Sequence, residues 1–269
     1  MSAATSPPGE QNETAPAGLP EWRLWLAVIG LLLVLACLLP PLSTLAHRYV
    51  FAESIQFSVF AVAGPTLIVL GAPWRRLRLS GPADRLAAAR RGGRPFPRAA
   101  AVLIAFVGVC LAWRLPPVVD ALARQPTLVV AEAVTLLAAG AALWLEIVAS
   151  PPVAPQLSRP QRAVMAALAM WSIWIVAYVL GSASHGVFPA YDAAGGGLSA
   201  VADQEIAVGL VWAVAGCCFV PVVMANMIGW LAGGEDADEE FQRVFRDQNE
   251  RAMVRGWGTR PRRRPTSSA

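Results

Sequence analysis

The chain has 269 residues, of which 56% are hydrophobic and only 15% are charged. Soluble domains carry about 25% charged residues, so this composition excludes an ordinary water-soluble globule and favours a membrane protein. The formal net charge is +4, and all 22 basic residues are arginines.

Six apolar stretches are long enough to cross a membrane as helices, which takes about 20 residues for roughly 30 Å of hydrocarbon. We call them spans one to six, predicted in chain order at residues 24–45, 52–70, 99–116, 127–149, 163–181 and 201–232. The predicted fold class is therefore all-α: a polytopic membrane helical bundle of about six transmembrane helices, occupying residues 22–233.

The arginines predict the orientation of the bundle. Nineteen of them precede span one, follow span two or span four, or lie in the C-terminal tail. Only Arg48, Arg114 and Arg124 fall on the other side. Basic residues concentrate in cytoplasmic loops, so both the N and the C terminus are predicted to be cytoplasmic.

The two ends of the chain are predicted to differ. Residues 1–21 are rich in Pro, Gly, Ala, Ser and Thr and are expected to be a disordered tail. Residues 234–254 carry apolar side chains at helical spacing, which predicts an amphipathic cytoplasmic helix on the membrane or a partner, or a solvated extension of span six. Residues 255–269 are basic and are predicted to form a disordered tail that meets anionic lipids rather than nucleic acid.

Polar residues at membrane depth indicate a candidate site near the predicted outer ends of the spans, because such groups are costly in lipid. The predicted outer-leaflet polar cluster comprises Glu53, Gln56, Arg114, Glu132, Asp203 and Gln204. The structural alternative is that Arg114 pairs with Asp203 or Glu132 and ties the bundle together, while Glu53 lies among the headgroups. Glu146, at the inner end of span four, is predicted to be interfacial.

No sequence pattern for a catalytic or structural metal centre is present. The two histidines, His47 and His185, form no spaced pair, and the four cysteines form no CxxC motif. There is also no phosphate-binding glycine loop, nucleophile elbow or HExxH motif. We therefore expect that the protein is not an enzyme, and we assign no catalytic residues.

Four segments carry short motifs in a fixed order. They are 51–73, FAESIQFSVFAVAGPTLIVLGAP; 112–120, AWRLPPVVD; 131–146, with a Glu near its start and a Trp near its end; and 190–212, AYDAAGGGLSAVADQEIAVGLVW. Together they resemble the CtaG-type cytochrome c oxidase assembly factors, including that family's Pro-x-Leu-x-x-x-Gly-x-Pro ending and its Trp-His-x-Pro turn. The motif scaffold positions here are Pro65, Pro73, Trp113 and Pro116.

The resemblance implies a multi-pass protein of the bacterial inner membrane that helps mature cytochrome c oxidase, with outer-side histidines as copper ligands. At the corresponding positions this chain has Glu53, Phe57, Arg114 and Ala133. Carboxylates are hard ligands that suit Cu(I) poorly, so copper is disfavoured as a cofactor. If a metal binds, the candidate ligands are Glu53, Glu132 and Asp203.

Three functions are compatible with the sequence. The first is assembly of cytochrome c oxidase, through contacts with oxidase subunits or a copper chaperone. The second is a metal-free accessory subunit or scaffold of a respiratory complex. The third is a transporter that uses the outer acidic residues. The expected partners are membrane lipids and oxidase components, and no nucleic acid.

Overall fold

The computed structural model describes residues 21–75, 79–192 and 197–233. Over these residues the chain is helical, with one isolated bridge between Ser150 and Val153 and no β-strand. Six helices are long and apolar enough to cross a membrane: Glu21–Leu38, Val50–Gly71, Pro95–Arg114, Leu128–Ile147, Arg159–Gly181 and Ala200–Leu231. The predicted six-span helical bundle is confirmed. Residues 1–20 and the predicted segments 234–254 and 255–269 lie outside the described residues.

Prolines account for the three largest differences between the predicted and observed helix ends. Span one ends at Leu38 instead of residue 45, because the Pro40–Pro41 pair that follows lacks backbone N–H donors. Spans three and five begin four residues earlier than predicted, with Pro95 and Pro160 in their first turns. Proline is favourable at the start of a helix because the first backbone N–H groups have no intrahelical acceptor there.

Span two lies at the centre of the bundle and is the most buried of the six. It packs against spans one, four and six. Its middle section, Val59–Ala63, is a π-helical turn between the α-helical segments Val50–Ser58 and Gly64–Gly71. Span five pairs with span six, and span three packs against spans four and five.

A glycine sets the close approach of span four to span two. A Cβ atom at Gly140 would lie 2.5 Å from the carbonyl oxygen of Ala61 and 2.6 Å from Cγ of Pro65. Real side chains do not tolerate such distances, so the two backbones meet here only because residue 140 has no side chain. This contact fixes how span four lies beside span two.

The bundle has two distinct ends. The arginine-rich end holds the start of span one and the short helix Ser80–Arg91, and sequence predicts it to be cytoplasmic. The arginine-poor end holds the short helices Leu42–Ala46, Pro116–Arg124 and Pro189–Asp192, and sequence predicts it to be outside.

At the arginine-rich end, Glu146 is enclosed by protein rather than interfacial as predicted. Its carboxylate accepts two hydrogen bonds from Arg98, at 2.9 and 3.0 Å, and pairs with Arg90 at 2.9 Å. Arg90 also donates to the carbonyl oxygen of Leu145 at 3.0 Å. Burial lowers the pKa of Arg90 below its usual value, and the Glu146 carboxylate opposes that shift. Glu146 thereby anchors the helix Ser80–Arg91 to span four.

Candidate functional site

An ion pair joins span two to span three inside the arginine-poor half of the bundle. The guanidinium of Arg114 pairs with the carboxylate of Glu53, and the two residues are only 6% and 2% exposed. Nη1 of Arg114 also donates to Oγ of Ser54 at 3.2 Å. The Arg114 guanidinium lies 4.1 Å from the ring centroid of Phe57, which adds a cation–π contact.

Local sequence places both charges at this level. Glu53 lies in the first turn of span two, and Phe57 follows four residues later on the same helix face. Arg114 is the last residue of span three, because Leu115 is extended ahead of Pro116. The pairing differs from the predicted structural alternative, in which Arg114 pairs with Asp203 or Glu132 and Glu53 lies among the headgroups.

Glu132 is the one polar residue of the predicted cluster whose carboxylate has no hydrogen-bond partner among the described residues. It lies in span four with an exposed fraction of 0%. Glu53 and Arg114 are near enough to act on it electrostatically. Burying a carboxyl group without a hydrogen-bond partner costs folding free energy. A purely structural role therefore explains Glu132 less well than it explains the other residues of the polar cluster.

Asp203 is occupied by the backbone of span two. Its two carboxylate oxygens accept hydrogen bonds from the N–H groups of Val50 and Phe51, both at 2.8 Å. These N–H groups belong to the first turn of a helix, where intrahelical acceptors are lacking and negative charge is favourable. Asp203 therefore caps span two from span six.

The two glutamines of the cluster also bind backbone groups. Gln204 donates to the carbonyl oxygen of Leu180 at 2.6 Å and accepts from the N–H of Val187 at 3.1 Å. Gln56 donates to the carbonyl oxygen of Cys37 at 2.6 Å. Gln204 thus ties span six to the end of span five, and Gln56 ties span two to span one.

The four motif scaffold residues have packing roles. Nε1 of Trp113 donates to Oγ1 of Thr135 at 2.9 Å, which links spans three and four. Pro116 begins the short helix after span three, and Pro73 begins a single turn after span two. Pro65 packs against span four at its closest approach to span two.

Three further residues complete the surroundings of the ion pair. Ser54 and Phe57 contact Arg114 directly. Phe57, already named from the family resemblance, lies four residues after Glu53 and so on the same helix face, whereas no sequence spacing pointed to Ser54. Tyr191 donates to the carbonyl oxygen of Ala46 at 3.1 Å and is buried. Burial raises the pKa of Tyr191 above its usual range, and the charge of Glu53 adds to that shift.

The donor set does not fit the copper site that the family resemblance implies. Glu53 is paired with Arg114, and Asp203 is occupied by two amide groups. A guanidinium repels a metal cation, and carboxylates are poor ligands for Cu(I). Across residues 21–75, 79–192 and 197–233, no three His, Cys, Asp or Glu side chains lie together in a group that could hold a metal ion.

The chain matches the model of a known protein family. Residues 10–233 match the family model described as cytochrome c oxidase caa3 assembly factor (Caa3_CtaG), a range that includes all six spans. No curated protein and no solved structure matches the chain.

Proposed function

Because the chain belongs to the cytochrome c oxidase caa3 assembly factor family, we propose that it assists maturation of the oxidase by protein contacts, without holding copper in its own polar cluster. The contacts are with oxidase subunits or with a copper chaperone, in the bacterial inner membrane. The protein acts there as a multi-pass assembly factor and not as an enzyme.

The observation that carries this proposal is the ion pair between Glu53 and Arg114. The family resemblance places metal-binding histidines at both positions. In this chain Glu53 supplies a negative charge and Arg114 a positive charge, and the two charges neutralise each other inside the bundle. Such a pair stabilises the contact between two spans but offers no soft ligand to Cu(I).

A membrane-facing surface supports the protein-contact part of the proposal. Gly209, Ala213 and Cys217 are exposed on one face of span six. Small residues at this spacing allow the backbone of another helix to approach closely. Trp212 lies beside them, exposed and stacked on Trp174 of span five with ring centroids 5.2 Å apart. A partner helix would meet small residues flanked by an aromatic pair.

The test is deletion of the gene followed by complementation with variants. The readouts are cytochrome c oxidase activity and copper content per oxidase in isolated membranes. We expect deletion to lower both and the wild-type chain to restore them. Ala213→Leu should restore them poorly, because its side chain blocks the small-residue face. The matched control is Ala105→Leu, on an exposed face of span three.

Oxidase that keeps its normal amount and copper content after deletion would overturn the assembly role. Equal rescue by the two leucine variants would overturn the proposed contact face while leaving the assembly role intact.

A metal-free accessory subunit of a respiratory complex is the second candidate, and the exposed face of span six favours it too. The two candidates differ in stoichiometry. An accessory subunit remains in the purified complex at one copy per complex, whereas an assembly factor is absent from the mature enzyme.

A transporter is the third candidate, and the unpartnered carboxylate of Glu132 is the observation that favours it. Glu132→Gln removes the charge with almost no change in size. Uptake of a defined solute that is lost both on deletion and in the Glu132→Gln variant, with normal oxidase amount and copper content in both strains, would replace the assembly proposal with transport.

A further inference from the structure

An apolar cavity opens at the arginine-rich end of the bundle, beside the helix Ser80–Arg91. Its volume is about 160 Å³, and it is lined by Trp74, Leu79, Pro82, Ala83, Leu86 and Val153. Leu79 and Leu86 are each 42% exposed, so apolar surface is uncovered here. An apolar cavity of roughly 150 Å³ can hold a benzene ring. This cavity therefore has room for one aromatic side chain.

The walls of the cavity are held in place by contacts within the bundle. Nε1 of Trp74 donates to Oγ of Ser150 at 2.8 Å. Ser150 and Val153 exchange two backbone hydrogen bonds, at 3.0 and 2.8 Å. The helix Ser80–Arg91 is anchored by its ion pair with Glu146. A side chain that enters the cavity would thus meet walls that are already ordered, which lowers the cost of binding.

The helix beside the cavity presents positive charge. Arg85, Arg91 and Arg94 are exposed, and Asp84 is the only acidic residue between positions 79 and 98. Opposite charges favour the approach of one surface to another. The occupant that fits best therefore combines an aromatic ring with negative charge.

The segment that follows span six has this chemistry. Residues 235–240 read EDADEE, five acids in six positions, and Phe241 and Phe245 come next. On the amphipathic helix that sequence predicts here, residues four apart lie on one face. Residues 235–247 contain six acids and two arginines, whereas helices that bind anionic membranes are rich in basic residues. The composition favours a basic protein surface over lipid.

The segment starts close enough to reach the cavity. Arg159, at the start of span five, donates to the carbonyl oxygen of Gly229 near the end of span six. Val153 precedes Arg159 by six residues, which cover at most about 21 Å. The twelve residues from Gly233 to Phe245 cover up to about 42 Å when extended. The segment is therefore long enough to bring its phenylalanines to the cavity.

We propose that residues 235–245 dock on the helix Ser80–Arg91 of the same chain. One phenylalanine ring enters the cavity, and the other covers Leu79 and Leu86. The acidic run 235–240 lies beside the exposed arginines. The contact joins the end of span six to the connection between spans two and three, and it is independent of the proposed role in oxidase assembly.

The test uses the full-length chain in lipid nanodiscs, with a phenylalanine analogue that carries a diazirine at position 241 or 245. After photolysis, peptide mass spectrometry locates the cross-links. We expect them within one chain, on residues 79–86 and on Val153. The control position is Trp257, an aromatic residue sixteen positions after Phe241. The same analogue at position 257 should give no cross-links to the cavity.

Filling the cavity supplies a second arm. Ala83 is a buried lining residue, and Ala83→Leu occupies the space that the ring needs. Excluding a phenylalanine ring from apolar surroundings lowers the docking equilibrium by roughly tenfold or more, so the cross-link yield should fall by about that factor. The control is Ala88→Leu, at an exposed position of the same helix, which should keep the wild-type yield. Thermal unfolding in detergent verifies that each variant is folded.

Charge reversal supplies a third arm, with a result that damage to the helix cannot produce. Arg85→Glu together with Arg94→Glu should lower the cross-link yield, because the acidic run is then repelled. Replacing the five acids of residues 235–240 with arginine in the same protein should restore the yield.

Cross-links confined to lipid, or found only between two chains, would overturn docking within the chain. Equal yields in Ala83→Leu and Ala88→Leu would overturn the cavity as the site of contact. A low yield that persists after both sets of charges are reversed would overturn the charge pairing.

Discussion

Arg114 at the end of span three pairs with Glu53 in the first turn of span two, and both side chains are enclosed by the bundle. The family resemblance places histidines at both positions. Either charge alone would lie at membrane depth without a partner, which is unfavourable. Here the two charges compensate each other, and the pair holds span two against span three.

This relationship predicts the behaviour of variants at the pair. Glu53→Gln leaves the Arg114 charge buried and unpaired, and Arg114→Gln does the same to Glu53. Removing one partner of a buried ion pair costs about 3–5 kcal/mol, whereas removing both is often close to neutral. We therefore expect each single variant to lower the unfolding midpoint in detergent, and the double variant to recover most of the loss.

The matched control for this cycle is Arg124→Gln. The side chain of Arg124 is 68% exposed and lies 3.9 Å from Asp120, so its loss should change the midpoint little. Single-variant losses that simply add in the double variant would show that the two charges do not interact.

Asp203 should act as a cap for span two. Asp203→Ala removes both acceptors of the Val50 and Phe51 N–H groups, and loss of a helix cap costs about 1–2 kcal/mol. Hydrogen exchange should become faster at the start of span two, although the substitution is in span six. Glu205→Ala, two residues away and exposed, is the control and should have no effect there. Equal exchange in both variants would contradict the capping role.

Glu146 should hold the helix Ser80–Arg91 in place. Glu146→Gln removes the charge that Arg90 and Arg98 share, leaving two buried or half-buried guanidinium groups beside each other. We expect limited proteolysis to cleave this helix sooner, because its anchor to span four is lost. Arg91→Gln, an exposed change on the same helix, should be cleaved at the wild-type rate. A Glu146→Gln chain as resistant as wild type would rule out the anchor.

Gly140 should be far more sensitive to substitution than Gly108. Gly140→Ala forces its Cβ against Ala61 and Pro65, and overpacking of this kind costs about 1–3 kcal/mol. Gly108→Ala adds the same atom where nothing lies within 4 Å, so its unfolding midpoint should stay the same or rise. Unfolding midpoints of the two variants in one detergent provide the comparison, and equal midpoints would contradict the close contact.

The six spans were predictable because the signal for each is local: a run of about 20 apolar residues needs no knowledge of its neighbours. The span ends were less predictable. Span one ends at Leu38 because two prolines follow it. The apolar stretch continues through these prolines, so hydrophobicity alone placed the end of the helix too late. The start of span three at Pro95 depends on tolerance of proline in a first turn, which composition does not reveal.

The members of the polar cluster were predictable from their cost in lipid, but their partners were not. Which acid Arg114 meets depends on the rotation of each helix about its own axis, and that is set by contacts such as the one at Gly140. Asp203 binds amides 153 and 152 residues away along the chain, for which no sequence spacing exists. Glu146 pairs with Arg90 and Arg98. The loop after span two contains other arginines too, and nothing in the sequence distinguishes these two as its partners.

The most direct test of the central claim is the copper content of the purified full-length chain after incubation with Cu(I) under reducing conditions. Replacing all four cysteines, Cys37, Cys110, Cys217 and Cys218, with serine separates copper held by thiols from copper held by the polar cluster. The ion pair predicts far less than one copper per chain in this background, and no further change with Glu53→Gln. One copper per chain that is lost on Glu53→Gln or Glu132→Gln would contradict the account.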